Sequence, residues 1–417
     1  MKLAFIRRQF SATGGAELYL QRLLAALAEQ GHELHLIAET WDDAPTGVTV
    51  HPLPIQASRA RRPIFFADAV QRELARHSFD CVFSLERTRQ QDVYRAGDGV
   101  HRVWLQRRRQ HSSWWRKPFV GLGAFHRNVL RLEAETFEPR NTRRVIVNSE
   151  MVRKEILAHF PFPAERIHLV RNGVDVARFQ GGNREATRAS FGVKDDDFLL
   201  LFVGSGWERK GLKYALQALW SVQMLIRVGR FSQEFSEGVR QVGELTRRQV
   251  AELTRKVHGT PIGSATPSAP EHRSVLPLSA DKVKLLVVGK GKKPVSRPAN
   301  VIFAGPMSDP EHAYAAADLF LFLPIYEPAA NVVFEALAAG LPVVTTAQNG
   351  AAELIEEGVN GSVVDDPTDI KSVVGAIAWW WSRRFYVPPV GAGELSLDRN
   401  VSETVAVLEQ AAKERHG

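Results

Sequence analysis

Short, almost wholly apolar runs of three to six residues recur along the chain, each closed by glycine or a polar turn. They fall at 3–6, 81–83, 145–147, 198–203, 284–288, 301–304, 319–323 and 343–345. Runs this short and this apolar fit strands buried on both faces of a parallel sheet. The intervals carry a helical period instead. Leu20, Leu23, Leu24 and Leu27 share one helical face that ends near Gly31, and residues 33–37 read as the next strand, which makes a βαβ unit. The second half repeats the scheme: run 198–203 stops at Gly204, a polar loop follows, and a helix starts after Gly211. Residues 332–339 are good helix formers ending at Gly340, before Pro342-Val343-Val344-Thr345 restarts a strand. The pattern predicts an α/β protein with two doubly wound halves.

Length agrees with two halves, because 417 residues exceed one ordinary core. The expected division is 1–170, then 171–378 with an insertion at about 220–281, then a tail at 379–417. The turn-rich Asn172-Gly173-Val174-Asp175 suits the passage between halves, and 259–280 is rich in Pro, Ser, Ala and Gly. Trp379-Trp380-Trp381 is expected to pack in a core, since a helix spreads consecutive side chains over different faces. No run of 18 apolar residues offers a membrane span. Arg7 and Arg8 cut short the apolar start, which therefore reads as a first strand and not a signal peptide. Cys81, the single cysteine, excludes an internal disulfide and a cysteine metal site. A cytoplasmic location is expected.

The net charge of +8 is concentrated. Residues 101–131 hold Arg102, Arg107, Arg108, Arg109, Arg116, Lys117, Arg127 and Arg131 with no acidic residue, interleaved with Trp104, Trp114, Trp115, Phe119 and Phe125. Such a segment is a local binding surface, not a general solubility device.

The candidate chemistry sits where strands end. Glu327 follows run 319–323, and Glu335 lies eight positions on, about two turns into the next helix. Open α/β sheets bind ligands at that end of their strands. Two fixed acceptors beside a helix N-terminus suit a ligand with many hydroxyls and a phosphate, as a nucleotide sugar has. Trp207-Glu208-Arg209-Lys210-Gly211 supplies fixed positive charge for a diphosphate without metal. Gly14-Gly15-Ala16-Glu17, between the first strand and helix, lets backbone amides approach a phosphate.

Glu327 and Glu335, with Ala338-Ala339-Gly340-Leu341-Pro342-Val343-Val344, resemble the nucleotide-sugar signature of the retaining family-4 glycosyltransferases. Ala329 and Ala330 stand where that family usually has an aromatic residue and a glycine. An alanine after the first Glu is similar to the branch that glucosylates lipopolysaccharide core. The resemblance implies the GT-B fold: two Rossmann-like doubly wound domains with a cleft between them, and a last helix crossing back to the first domain. It implies that Glu335 takes the ribose, Glu327 the transferred sugar, Arg209 and Lys210 the diphosphate, and Gly14, Gly15, Gly204, Ala330 and Asn331 further donor contacts. It also implies a hexosyl donor, UDP-glucose, a lipid-linked acceptor such as core heptose, no metal or other cofactor, and a place on the anionic inner face of the bacterial inner membrane.

Asp98 is the candidate closest to the reacting carbon, in a Gly-Asp-Gly that also reads as a plain turn. His101, Arg107, Arg108, Arg109, Trp114, Trp115, Arg116 and Lys117 are assigned to the acceptor or membrane surface. Asp195-Asp196-Asp197 precedes a strand, the wrong end of a sheet for a ligand, and reads as a polar turn. Two alternatives remain: a GT-B UDP-sugar epimerase, and a basic nucleic-acid-binding protein, which leaves the glutamate pair unexplained.

Overall fold

Every apolar run named above is a parallel strand in the computed structural model, which describes residues 1–9, 15–41, 46–229, 279–384, 387–388 and 392–416. The chain forms two units. One is Met1–Gly173 with Tyr326–Asn331 and Gly393–Gly417, and the other is Val174–Ile325 with Val332–Ala392.

The first unit is built on β1 (Lys2–Ile6), β2 (Glu33–Ala38), β3 (Val48–Pro52), β4 (Cys81–Ser84), β5 (Gln91–Arg95), β6 (Thr142–Val147) and β7 (Ile167–Leu169). Their order is β3-β2-β1-β4-β5-β6-β7, parallel throughout. Helix Gly15–Glu29 lays Leu20, Leu23, Leu24 and Leu27 on Leu3, Phe5 and Leu36. The last helix, Leu397–His416, completes that core with Val405, Leu408 and Ala411. It is also pinned by charge, with Arg415 on Asp92 at 2.7 Å and Arg144 on Glu414.

The second unit holds β8 (Phe198–Val203), β9 (Val283–Val288), β10 (Val301–Gly305), β11 (Leu319–Phe322), β12 (Val343–Thr346) and β13 (Gly361–Val364), in the order β10-β9-β8-β11-β12-β13, again all parallel. All six residues of β8 are buried, as helices on both faces require. The three tryptophans end helix Ile370–Trp381 and are buried. Trp381 packs on Phe198 with ring centroids 4.3 Å apart, and Trp380 donates its indole N–H to Ser362 at 3.0 Å. The expected boundary at 379 therefore falls inside a helix, and residues 379–392 belong to the second unit.

Strands β3, β5, β7 and β13 have no apolar run to announce them. In β5, Gln91, Asp92 and Arg95 are buried polar residues, and Asp92 is satisfied by the Val82 amide at 2.8 Å and by Arg143 at 3.0 Å. The insertion expected at about 220–281 begins within helix Leu212–Arg227, and its residues 230–278 lie outside the described residues.

Candidate functional site

In the second unit the winding reverses between β8 and β11, so the loops after these two strands flank the point where open α/β sheets take ligands. After β8 come Gly204, Ser205, Gly206 and the single turn Trp207–Lys210. Gly204 has φ +148°, and a Cβ there would lie 2.6 Å from Lys210 Cδ and 2.9 Å from its Nζ. The Lys210 side chain thus folds back over the Gly204 backbone, whose carbonyl also accepts the Trp207 indole N–H at 2.8 Å. Gly211 has φ +79°, and a Cβ there would collide with the Leu323 carbonyl. That close approach lets the Ile325 amide donate to Arg209 O at 3.0 Å. Two loops far apart in sequence are joined through backbone, and only glycine permits it.

Glu335 lies on helix Asn331–Ala338, the first helix after β11. Its Oε2 accepts the Tyr314 hydroxyl at 2.6 Å. Burial raises the pKa of its carboxyl, while the Tyr314 hydrogen bond and the charges of Lys210 and Arg178 pull it down. Arg178 is itself aligned by Glu311 (Nε–Oε2 3.0 Å). Lys210 and Glu335, distant along the chain, therefore act on each other across the switch point. Tyr314 and Arg178 join them unannounced, since a lone tyrosine in an alanine-rich helix and an arginine after a turn carry no motif.

The segment Tyr326–Asn331, which carries Glu327, belongs to the first unit and is tied down at four places. The Tyr326 hydroxyl accepts the Val100 amide at 2.9 Å and donates to Glu155 Oε2 at 2.7 Å. Ser149 Oγ donates to the Pro328 carbonyl at 2.7 Å. Asn172 Nδ2 donates to the Ala329 carbonyl at 3.2 Å and to Asn331 Oδ1 at 2.6 Å. Asn172 is held in turn by Arg95, which donates to its Oδ1 at 2.8 Å. Ala329 and Ala330 are buried, and among the described residues Asn300 is the one non-glycine with positive φ. The backbone at 330 thus takes alanine without strain.

Asp98 is exposed between Gly97 and Gly99, at the carboxyl end of β5, and its charge helps to raise the Glu86 carboxyl that burial has already pushed up. His101 is half-buried at the start of its helix. It stacks on His126, with Nε2 3.0 Å from His126 Nδ1, and burial first, then the Arg87 and His126 charges, lower its pKa to about 3. Trp104 likewise turns inward, against Tyr326 at 6.4 Å between centroids. The outward face is carried by Trp114, Trp115 and Phe119, which are 83%, 53% and 72% exposed, beside exposed Arg109, Arg116 and Lys117. Arg107 and Arg108 are half-buried, and Arg109 donates to the Val120 carbonyl at 3.2 Å.

Gly14 lies outside the described residues, and Gly15 opens helix Gly15–Glu29 after β1. Asp195, Asp196 and Asp197 sit at the amino end of β8, where Arg384 donates to all three carbonyls, Lys284 pairs with Asp197 at 2.6 Å and Lys282 pairs with Asp196. They form the polar turn that the spacing suggests.

Two all-parallel doubly wound units, with a basic loop and a hydrogen-bonded glutamate at the second unit's switch point, are an architecture of the GT-B kind. Residues 13–178 match the model for Glycosyltransferase Family 4, and residues 272–382 match that for Glycosyl transferases group 1. The chain thus carries a Glycosyltransferase Family 4 domain followed by a Glycosyl transferases group 1 domain, the pairing of a GT-B type glycosyltransferase. It is 25% identical over 375 residues to the lipopolysaccharide glucosyltransferase WaaG of Escherichia coli K12, covering 88% of this chain and 86% of that one. The crystal structure of WaaG, a glycosyltransferase involved in lipopolysaccharide biosynthesis, superposes with a TM-score of 0.67 at 22% identity, over 98% of each chain. Anabaena HepE in complex with UDP and glucose gives a TM-score of 0.59 at 16% identity, over 98% of this chain and 100% of that one. No helix among the described residues is long and apolar enough to cross a membrane.

Proposed function

We propose that this chain is a retaining, metal-independent hexosyltransferase that moves glucose from UDP-glucose to a lipid-linked acceptor such as the heptose of lipopolysaccharide core. The observation that carries this reading is Lys210, folded over Gly204 and coupled electrostatically to Glu335 at the switch point of the second sheet. A diphosphate laid along that loop meets Arg209 and Lys210, while Glu335 accepts the ribose hydroxyls. Each such charge-assisted hydrogen bond contributes roughly 1.5–3 kcal/mol. Glu327, on its anchored segment, takes hydroxyls of the transferred sugar. UDP-bound and UDP-glucose-bound relatives of the same fold support the choice of donor.

The acceptor hydroxyl attacks the anomeric carbon on the face from which UDP departs, and its proton passes to the departing phosphate oxygen. The glycosidic bond to phosphate breaks as the new one forms, so configuration is retained and no protein nucleophile is needed. Arg209 and Lys210 stabilise the charge that develops on the diphosphate, as preorganised electrostatics. Asp98 stands near the acceptor.

The exposed Trp114, Trp115 and Phe119 with Arg116 and Lys117 support reversible docking on the anionic cytoplasmic face of the inner membrane. The test is mass analysis of products after incubation with a panel of nucleotide sugars, with and without lipopolysaccharide truncated at heptose. Hexose on the lipid supports the proposal, whereas conversion of the nucleotide sugar without acceptor would make the protein an epimerase.

A further inference from the structure

At the free edge of the first unit's sheet, His51 of β3, Glu73 in the last turn of helix Arg62–Leu74 and His77, three residues past that helix, come together. His51 Nδ1 and His77 Nε2 each lie 3.0 Å from Glu73 Oε1, and the three ligand atoms fall within 4.8 Å of one another. We propose that these three side chains bind a divalent first-row cation, zinc by their donor set, at a site separate from the nucleotide loops.

A continuous line of side-chain contacts orients the cluster. Glu33 Oε1 lies 2.8 Å from His35 Nε2, His35 Nδ1 lies 2.9 Å from His51 Nε2, and His51 Nδ1 lies 3.0 Å from Glu73 Oε1. Three contacts link two carboxylates through two imidazoles. His51 and His77 thus converge on one carboxylate oxygen from two different elements, and a cation placed among them would meet three ligand atoms at once.

The surroundings suit a metal. Ligating histidines hand their second ring N–H to a fixed partner, which orients the ring and raises its basicity; here His51 Nε2 lies against His35, which Glu33 holds in turn. Lys2 holds Glu33 at 3.2 Å. Arg76 binds Glu73 Oε2 at 3.0 Å, leaving Oε1 for the metal. The side chains of His51 and Glu73 are each 12% exposed and that of His77 33%, so water can supply a fourth ligand on the His77 side. Tetrahedral zinc, with bonds of about 2.0–2.1 Å, sets its ligand atoms about 3.3 Å apart, within small side-chain rotations of this arrangement. Imidazole with carboxylate selects zinc or its first-row neighbours over magnesium or calcium. Bound metal would staple the edge strand to the covering helix.

Tag-free protein, stripped with chelator and desalted, is titrated with zinc chloride by calorimetry and followed by thermal melting. The expected result is one zinc per chain, a raised Tm, and tetrahedral absorption bands when cobalt replaces zinc. His77→Ala, on the open side of the cluster, and Glu73→Gln should each weaken binding about 10- to 100-fold and abolish the rise in Tm. Absence of stoichiometric binding, or wild-type affinity in both variants, would overturn the proposal.

Discussion

Tyr326 donates a hydroxyl hydrogen bond to Glu155, 171 residues away, at 2.7 Å, and so fixes the segment that carries Glu327. Burial raises the Glu155 carboxyl to about 7, opposed by the Tyr326 hydrogen bond and the Arg107 charge. The folded state thus holds this proton more tightly than the unfolded chain. Its stabilisation is complete below the usual carboxyl value and is lost as pH rises through about 7. Glu155→Gln keeps an acceptor for Tyr326 and removes the titration. Urea unfolding from pH 5 to 8 should show wild type losing about 2 kcal/mol relative to this variant. Equal slopes would mean that Glu155 titrates normally.

His101 behaves in the opposite sense. Burial lowers it to about 3 beside Arg87 and His126, so the stabilisation of its neutral form is present above 6.5 and lost as pH falls towards 3. His101→Gln should flatten the acid side of the stability curve by up to about 1.4 kcal/mol per pH unit. NMR titration showing His101 protonated at pH 6 would contradict this.

The central strands and the acidic pair were legible because parallel strands buried on both faces must be continuously apolar, as 198–203 and 319–323 are. Strand β5 was legible only at its apolar Val93-Tyr94, because its buried Asp92 and Arg95 are satisfied by contacts made only on folding. The acids of the candidate site stood out through their spacing, but Tyr314, Arg178 and Asn172 hold it through contacts made only by folding. Residues 101–131 taught the same lesson. Composition alone does not separate exposed Trp114 from Trp104, which lies against Tyr326.

Gly204 offers a probe of the basic loop. Its alanine variant places a methyl against the Lys210 side chain at a backbone angle that alanine avoids. Gly204→Ala should weaken UDP binding about tenfold by displacing the ammonium, with the far-ultraviolet dichroism of the fold retained. Unchanged affinity in calorimetry would show that Lys210 does not need its place over Gly204.

The outward aromatic face predicts docking without insertion. Replacing Trp114, Arg116 and Lys117 together with Ser should lower partitioning onto anionic liposomes at least tenfold at low salt, since each basic residue near such a surface contributes about 1 kcal/mol. UDP affinity should not change. Wild-type protein that ignores anionic liposomes lacking lipopolysaccharide would remove the membrane reading and leave a groove for the acceptor's phosphates.

Turnover is expected to persist in excess EDTA, because Arg209 and Lys210 supply the charge that a metal otherwise brings to a diphosphate. Activity abolished by chelator and restored by manganese or magnesium would place a metal in the donor site.

The central claim is that Lys210 and Glu335 hold a nucleotide-sugar donor for transfer. The direct measurement is hexose transfer from UDP-glucose to heptose-terminated lipopolysaccharide by wild type, Lys210→Ala and Glu335→Ala, with UDP affinity measured on the same samples. The account predicts transfer by wild type, and UDP binding weakened roughly 10- to 100-fold in each variant with melting temperature preserved. Wild-type UDP affinity and transfer in both variants would contradict it.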